Sequence, residues 1–198
     1  RKADLIKNKF GIDKDGYILF LGRLVPEKGI QYLIKAFKQI DTDKKLVIAG
    51  GSSDSDEFMQ ELTRLAADDP RILFTGFVQG HMLAELYSNA YVYCLPSDLE
   101  GMPLSLLEAM SYGNCCLASD IAECAEVLED KGVLFQRGSV ESLKQKLEEL
   151  FQHPEQVGRY REEATKYICD KYNWDDVVSK TLLLYYEKFD VRKAKINR

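Results

Sequence analysis

Short apolar runs alternate with stretches of helical periodicity along this chain, and that alternation leaves few folds open. The runs are YILFLG (17 to 22), KLVIAG (45 to 50), RILFTG (71 to 76), YVYCLP (91 to 96), CCLAS (115 to 119) and GVLF (132 to 135). Between them apolar residues recur at i, i+3 and i+4, as in Ile30, Leu33, Ile34 and Phe37, or Phe58, Leu62 and Leu65. A strand that is apolar on both faces has to be covered on both faces, which crossover helices on a parallel sheet achieve. The pattern therefore predicts an α/β, Rossmann-like parallel sheet of about six strands with helices on both faces. Beyond Phe135 only helical patterns follow, at about 139 to 152, 155 to 171 after Pro154, and 174 to 189. The last has Asn173 as its expected N-cap and an apolar face with Trp174, Val178 and Tyr185, which covers either its own domain or a second one.

Bulk properties narrow the partners. At 198 residues the chain holds one compact core. Its net charge of −5 argues against a nucleic-acid groove, although the tail VRKAKINR is locally basic. No apolar run approaches the roughly 18 to 20 residues of a membrane span. The five cysteines show no Cys-x-x-Cys spacing, and Cys94, Cys115 and Cys116 sit in apolar runs, which suits a reducing cytoplasm and no zinc site. With only His81 and His153, a histidine metal site or triad is disfavoured as well. The start RKADLIKNKFGI carries neither an initiator Met nor an apolar signal core and reads as a piece of something longer.

In parallel α/β sheets ligands bind beyond the carboxyl ends of the strands, so the residues just after each run matter most. After the first run comes GRLVPEKG, residues 22 to 29. It is neither a G-x-G-x-x-G fingerprint nor a Walker A loop. Arg23 and Lys28 stand near a helix N-terminus, where the macrodipole disfavours each cation by about 0.3 to 1 kcal/mol. Either they are solvated charges with Glu27 for company, or an anion such as a diphosphate offsets that cost. Gly50 and Gly51 after the second run allow close backbone approach, and the Ser and Asp residues behind them read as helix caps.

The second stretch is DLEGMPLSLLEAMSYG, residues 98 to 113. Pro103 suits a first helical position, so the helix is expected to begin at about 102 or 103. Glu100 then lies just outside it, as a cap or as a ligand group. Glu108 falls in the second turn, on a polar stripe with Ser105, Ser111 and Tyr112. It is either an ordinary exposed position or, since the helix is apolar on most sides, a buried carboxylate in need of partners. A ribose diol would supply two hydrogen bonds to it, while amides of Gly101, Met102 and Leu104 would face phosphate.

Taken together, Gly-Arg-x-x-x-x-Lys-Gly, the two glutamates seven residues apart and the following Ala-Met-x-x-Gly resemble the C-terminal, donor-binding domain of retaining GT-B glycosyltransferases, the glycosyl transferase group 1 or family 4 enzymes. The resemblance covers essentially the whole chain and implies one half of a GT-B fold. It implies residues 1–12 as the end of an interdomain connection, 13–172 as the nucleotide-sugar-binding domain, 173–190 as a helix packing towards an N-terminal acceptor domain, and 191–198 as a basic tail. It further implies that Arg23 and Lys28 hold the donor diphosphate and stabilise the departing nucleoside diphosphate. Glu100 would contact the transferred sugar without serving as a nucleophile, and Glu108 would bind the ribose. Gly22, Gly101, Met102, Pro103 and Leu104 would line the donor, with the base near Phe77 and Val78. The donor would be a UDP- or GDP-sugar, with no metal and no other cofactor, and any peripheral membrane association would come through the acceptor domain. A nucleotide-sugar epimerase and a non-catalytic nucleotide-binding module are the rival readings.

Overall fold

The computed structural model describes residues 2–51 and 56–172. The helix and tail expected at 173–190 and 191–198, and the caps expected at 52–55, lie outside the described residues. Among the described residues six strands form one sheet: β1 Tyr17–Leu21, β2 Lys45–Ala49, β3 Ile72–Gly76, β4 Val92–Leu95, β5 Cys116–Ser119 and β6 Val133–Phe135. All neighbours pair in parallel, in the order β3-β2-β1-β4-β5-β6. Each strand falls inside one of the six apolar runs. β1, β2, β4 and β5 are buried almost throughout, while the edge strands β3 and β6 are only partly buried, so the evenly apolar sequence of the inner strands follows from cover on both faces.

Among the described residues eight α-helices follow the same logic: α1 Asp4–Phe10, α2 Ile30–Phe37, α3 Asp56–Ala66, α4 Gly80–Asn89, α5 Leu104–Ser111, α6 Ala122–Leu128, α7 Val140–Gln152 and α8 Pro154–Lys171. Right-handed crossovers put α2 and α3 on one face and α4 and α5 on the other. α7 packs on α2, and α8 packs on α5. α8 begins at Pro154, whose missing N–H costs nothing at a helix start.

Residues 4–12 belong to this body. The Glu85 carboxylate on α4 accepts the amides of Leu5 and Ile6 at 2.8 and 3.1 Å, satisfying donors that a helix start leaves unpaired. Ile6 and Ile12 are buried in the core. The packed unit thus reaches back past residue 13. No helix among the described residues is long and apolar enough to cross a membrane.

Candidate functional site

The strand order reverses between β1 and β4, and there the loops after these two strands interlock. Gly29 takes φ +67°, and a Cβ on it would lie 1.9 Å from the Pro96 carbonyl oxygen. Only glycine permits that approach. The Asp98 amide donates to the Glu27 carbonyl at 2.8 Å, and the Tyr32 hydroxyl donates to Asp98 Oδ2 at 3.0 Å.

This interlock brings two of the expected site residues into direct contact. Lys28 Nζ donates to Glu100 Oε1 at 2.6 Å, with side chains only 15% and 6% exposed. Ser97 Oγ donates to the same oxygen at 2.6 Å, and the buried Ser119 hydroxyl donates to the Ser97 carbonyl. A buried carboxylate without partners costs several kcal/mol, and this one has a cation and a hydroxyl. Among the described residues Oε2 accepts nothing, so one carboxylate oxygen is without a partner there. Ser97 was not among the site residues expected from the sequence; its place directly after the β4 run was the available signal.

Arg23 is exposed and, among the described residues, makes no ion pair or hydrogen bond. With Gly22, Gly50, Gly51, Phe77 and Val78 it lines a cavity of about 340 Å³ at the ends of β1, β2 and β3. The walls are held by Gly22 N–H to Ala49 O, Leu24 N–H to Gly51 O and Gly50 N–H to Gly76 O, each 3.0 Å. A Cβ on Gly50 would lie 1.8 Å from the Gly22 carbonyl oxygen, the close approach expected at this turn. The Phe77 ring stands 76% exposed at the mouth. A larger cavity, about 460 Å³, sits between Pro26 and α3, and its lining carries Glu57 and Glu61 against one cation, Arg64. That charge balance suits an anion poorly.

The start of α5 differs from expectation by one residue. Pro103 is the N-cap, with φ −78° and ψ 71°, and Leu104 is the first helical residue. The Leu104 amide donates to the Met102 carbonyl at 2.8 Å, closing a tight turn ahead of the helix. It is therefore not free to face a phosphate. Among the described residues the amides of Gly101, Met102 and Ser105 are the unpaired ones here.

The burial of α5 differs too. Its apolar sequence does not mean cover on all sides, because it packs on β4, β5, α6 and α8 and leaves its outer side open. Leu104 is 63% exposed, and Glu108 is exposed as well. Of the two glutamates it is Glu100 that is buried. Glu108 nevertheless has a partner, since the buried Tyr87 of α4 donates its hydroxyl to Glu108 Oε2 at 3.2 Å. Tyr87 stacks on Tyr112, with ring centroids 5.2 Å apart and planes 12° apart. Burial above all, then Tyr93 and Glu108, push the Tyr87 phenol well above its ordinary range, so it remains a proton donor. Beside it the Tyr93 hydroxyl lies 2.8 Å from Ser105 Oγ and 3.2 Å from the Leu21 carbonyl oxygen.

Among the described residues no three His, Cys, Asp or Glu side chains cluster closely enough to hold a metal ion. All five cysteines are free thiols, four of them buried.

A doubly wound parallel sheet with its polar groups gathered at the point of strand reversal defines a Rossmann-like α/β domain. The sequence pattern of the family described as glycosyl transferases group 1 matches residues 2–167, and the chain belongs to that family. It is 32% identical over 181 residues to an uncharacterized glycosyltransferase of Methanocaldococcus jannaschii, covering 87% of this chain and 45% of that protein. It is 25% identical to an O-antigen chain mannosyltransferase B of Escherichia coli, covering 91% and 48%. The chain thus spans about half the length of the curated relatives it matches. Among solved structures, Anabaena HepE in complex with UDP and glucose superposes with a TM-score of 0.86 at 17% identity, over 93% of this chain and 52% of that one. The fold is that of one domain of the GT-B glycosyltransferases.

Proposed function

We propose that this chain is the donor-binding half of a retaining, metal-independent glycosyltransferase. It takes a nucleotide-diphosphate sugar, UDP- or GDP-linked, at the crevice between β1 and β4, and a separate N-terminal domain holds the acceptor. The observation that carries the reading is the buried Lys28–Glu100 pair at the strand reversal, together with an Arg23 guanidinium that lines the cavity at the ends of β1, β2 and β3 and has no partner among the described residues. Further support comes from structures of the same fold, which include Anabaena HepE with UDP-glucose.

In this reading the bond from the anomeric carbon to the diphosphate breaks, and its electron pair leaves with the diphosphate oxygen. Negative charge grows there, so fixed cations lower the barrier. Arg23 forks onto the phosphates, and Lys28, held on the sugar side by Glu100, supplies a point charge. Glu100 offers Oε2 to sugar hydroxyls and takes no covalent part. The unpaired amides of Gly101, Met102 and Ser105 face phosphate and sugar, with Pro103 and Leu104 shaping the wall. Glu108 accepts the ribose diol, and Gly22, Phe77 and Val78 border the base. The free thiols suit a reducing cytoplasm, and any contact with a membrane surface falls to the acceptor domain. Alone, the chain binds donor nucleotide and transfers nothing.

Calorimetric titration of the chain with UDP, GDP, ADP and TDP tests this. One nucleotide is expected to bind preferentially, and Arg23→Ala or Glu108→Ala to weaken it by roughly tenfold or more. Equal binding of all four, unchanged in both variants, would refute the donor-site assignment.

A further inference from the structure

We infer that Tyr87 is a positioning residue for the nucleotide ribose: its buried hydroxyl fixes Glu108 Oε2 so that Oε1 is presented to the ribose diol. The inference rests on the donor-site reading above and adds to it a residue outside the paired-glutamate motif.

An exposed glutamate on a helix surface samples several rotamers, and binding through it must first order the side chain. Tyr87 removes much of that freedom beforehand. Its hydroxyl reaches Glu108 Oε2 at 3.2 Å and the Ser105 carbonyl oxygen at 3.4 Å, so it is anchored to the turn that carries Glu108. The ring cannot swing away, because it is fully buried on one side and stacked on Tyr112 on the other. A carboxylate has two oxygens, and a donor fixed on one leaves the second with a defined direction. With its two lone pairs, Oε1 can then accept a hydrogen bond from each of two vicinal hydroxyls.

The position of Tyr87 in the chain adds a second consequence. It lies on α4, the helix that follows Phe77 and Val78 and begins at Gly80. The helix that starts beside the cavity mouth therefore ends by holding Glu108. One rigid element thus sets the span between the base end and the ribose end of the site.

The test compares ribo- and deoxyribonucleotides on the full chain, by calorimetry with UDP against 2′-deoxy-UDP and GDP against 2′-deoxy-GDP. The wild type is expected to prefer the better ribonucleotide by roughly tenfold. Tyr87→Phe should reduce that preference to about threefold or less while the deoxynucleotide binds as before. Tyr91→Phe, which loses a buried hydroxyl bonded to the Leu150 carbonyl at 2.9 Å, serves as the matched control and should keep the full preference. A merely structural role for Tyr87 would weaken both nucleotides equally. Should Tyr87→Phe fail to fold, Tyr112→Ala takes away the stacked ring from the surface side and should lower the preference part of the way. An undiminished preference in the folded Tyr87 variant, or in Tyr112→Ala where that variant is lost, overturns the inference and leaves the donor site standing. A chain that binds neither ribonucleotide removes both.

Discussion

Lys28 Nζ lies 2.6 Å from Glu100 Oε1 across a separation of 72 residues, with little water reaching either group. Removing one member strands the other, which is the expensive way to break such a pair. Lys28→Ala and Glu100→Ala are each expected to lower stability by about 2–3 kcal/mol in urea unfolding, and the double variant to cost at least about 1 kcal/mol less than their sum. Strict additivity would show that the two charges do not depend on one another.

Gly29 and Gly76 both adopt positive φ, +67° and +69°, yet only Gly29 has a neighbour in the way. Gly76→Ala should cost about 1 kcal/mol, the backbone penalty alone. Gly29→Ala adds a collision with the Pro96 carbonyl and should cost more than about 3 kcal/mol or prevent folding. Equal losses in a side-by-side denaturant series would contradict the close approach of the two loops.

Asp69 offers a pH test. Its carboxyl is held below the usual carboxylate range chiefly by side-chain hydrogen bonds from Arg71, at 2.9 Å to Oδ1 and 2.7 Å to Oδ2. A depressed folded-state pKa contributes stability that is present above the unfolded value of about 4 and lost as pH falls through the folded value. Asp69→Asn should thus be less stable than wild type by about 1–2 kcal/mol near neutral pH, with the gap closing below about pH 4. A gap that stays constant down to pH 2 would show that the ionised form carries no share of it.

The thiols divide sharply. Burial pushes Cys115 up to about 12, and burial followed by the nearby Glu100 charge pushes Cys124 up to about 12. Cys94 and Cys116 are buried and raised further, whereas Cys169 is exposed. Since the thiolate is the reactive form, an aromatic disulfide reagent at pH 8 should titrate a single fast thiol natively and five after denaturation. Loss of the fast phase in Cys169→Ser identifies it; two or more fast thiols would contradict the buried placement of the other four.

Most of the fold was legible in the sequence because burial on both faces leaves an unbroken apolar signature. All six runs are strands, trimmed by one residue at one end or both, and the first two helices after Phe135 begin within a residue of Ser139 and Pro154. α5 was read less well. Its apolar content points to cover while Glu108 can be read as exposed or buried, and Leu104 and Glu108 show that an outer-layer helix can be apolar and still open to water. Pro103 yielded its expected place to a turn that no periodicity records. Arg23, Lys28, Glu100 and Glu108 each stand out in the sequence, but the contact between Lys28 and Glu100 does not. Lys28 meets Glu100 only because Gly29 lets the β1 loop lie against Pro96. Tyr87 was invisible for a simpler reason: within an apolar helix, a tyrosine that positions a carboxylate has the same spacing as one that merely fills the core.

The interlocked loops at the strand reversal also govern how the crevice can move. The Glu27–Asp98 backbone bond, the Gly29 contact and the Lys28–Glu100 pair join segments that belong to opposite wings of the sheet. Neither loop can open while the other stays shut, so their amides should exchange with deuterium at a common rate, as one cooperative unit. The floor of the crevice behaves as a weld, so the two wings of the sheet cannot part there without breaking all three links.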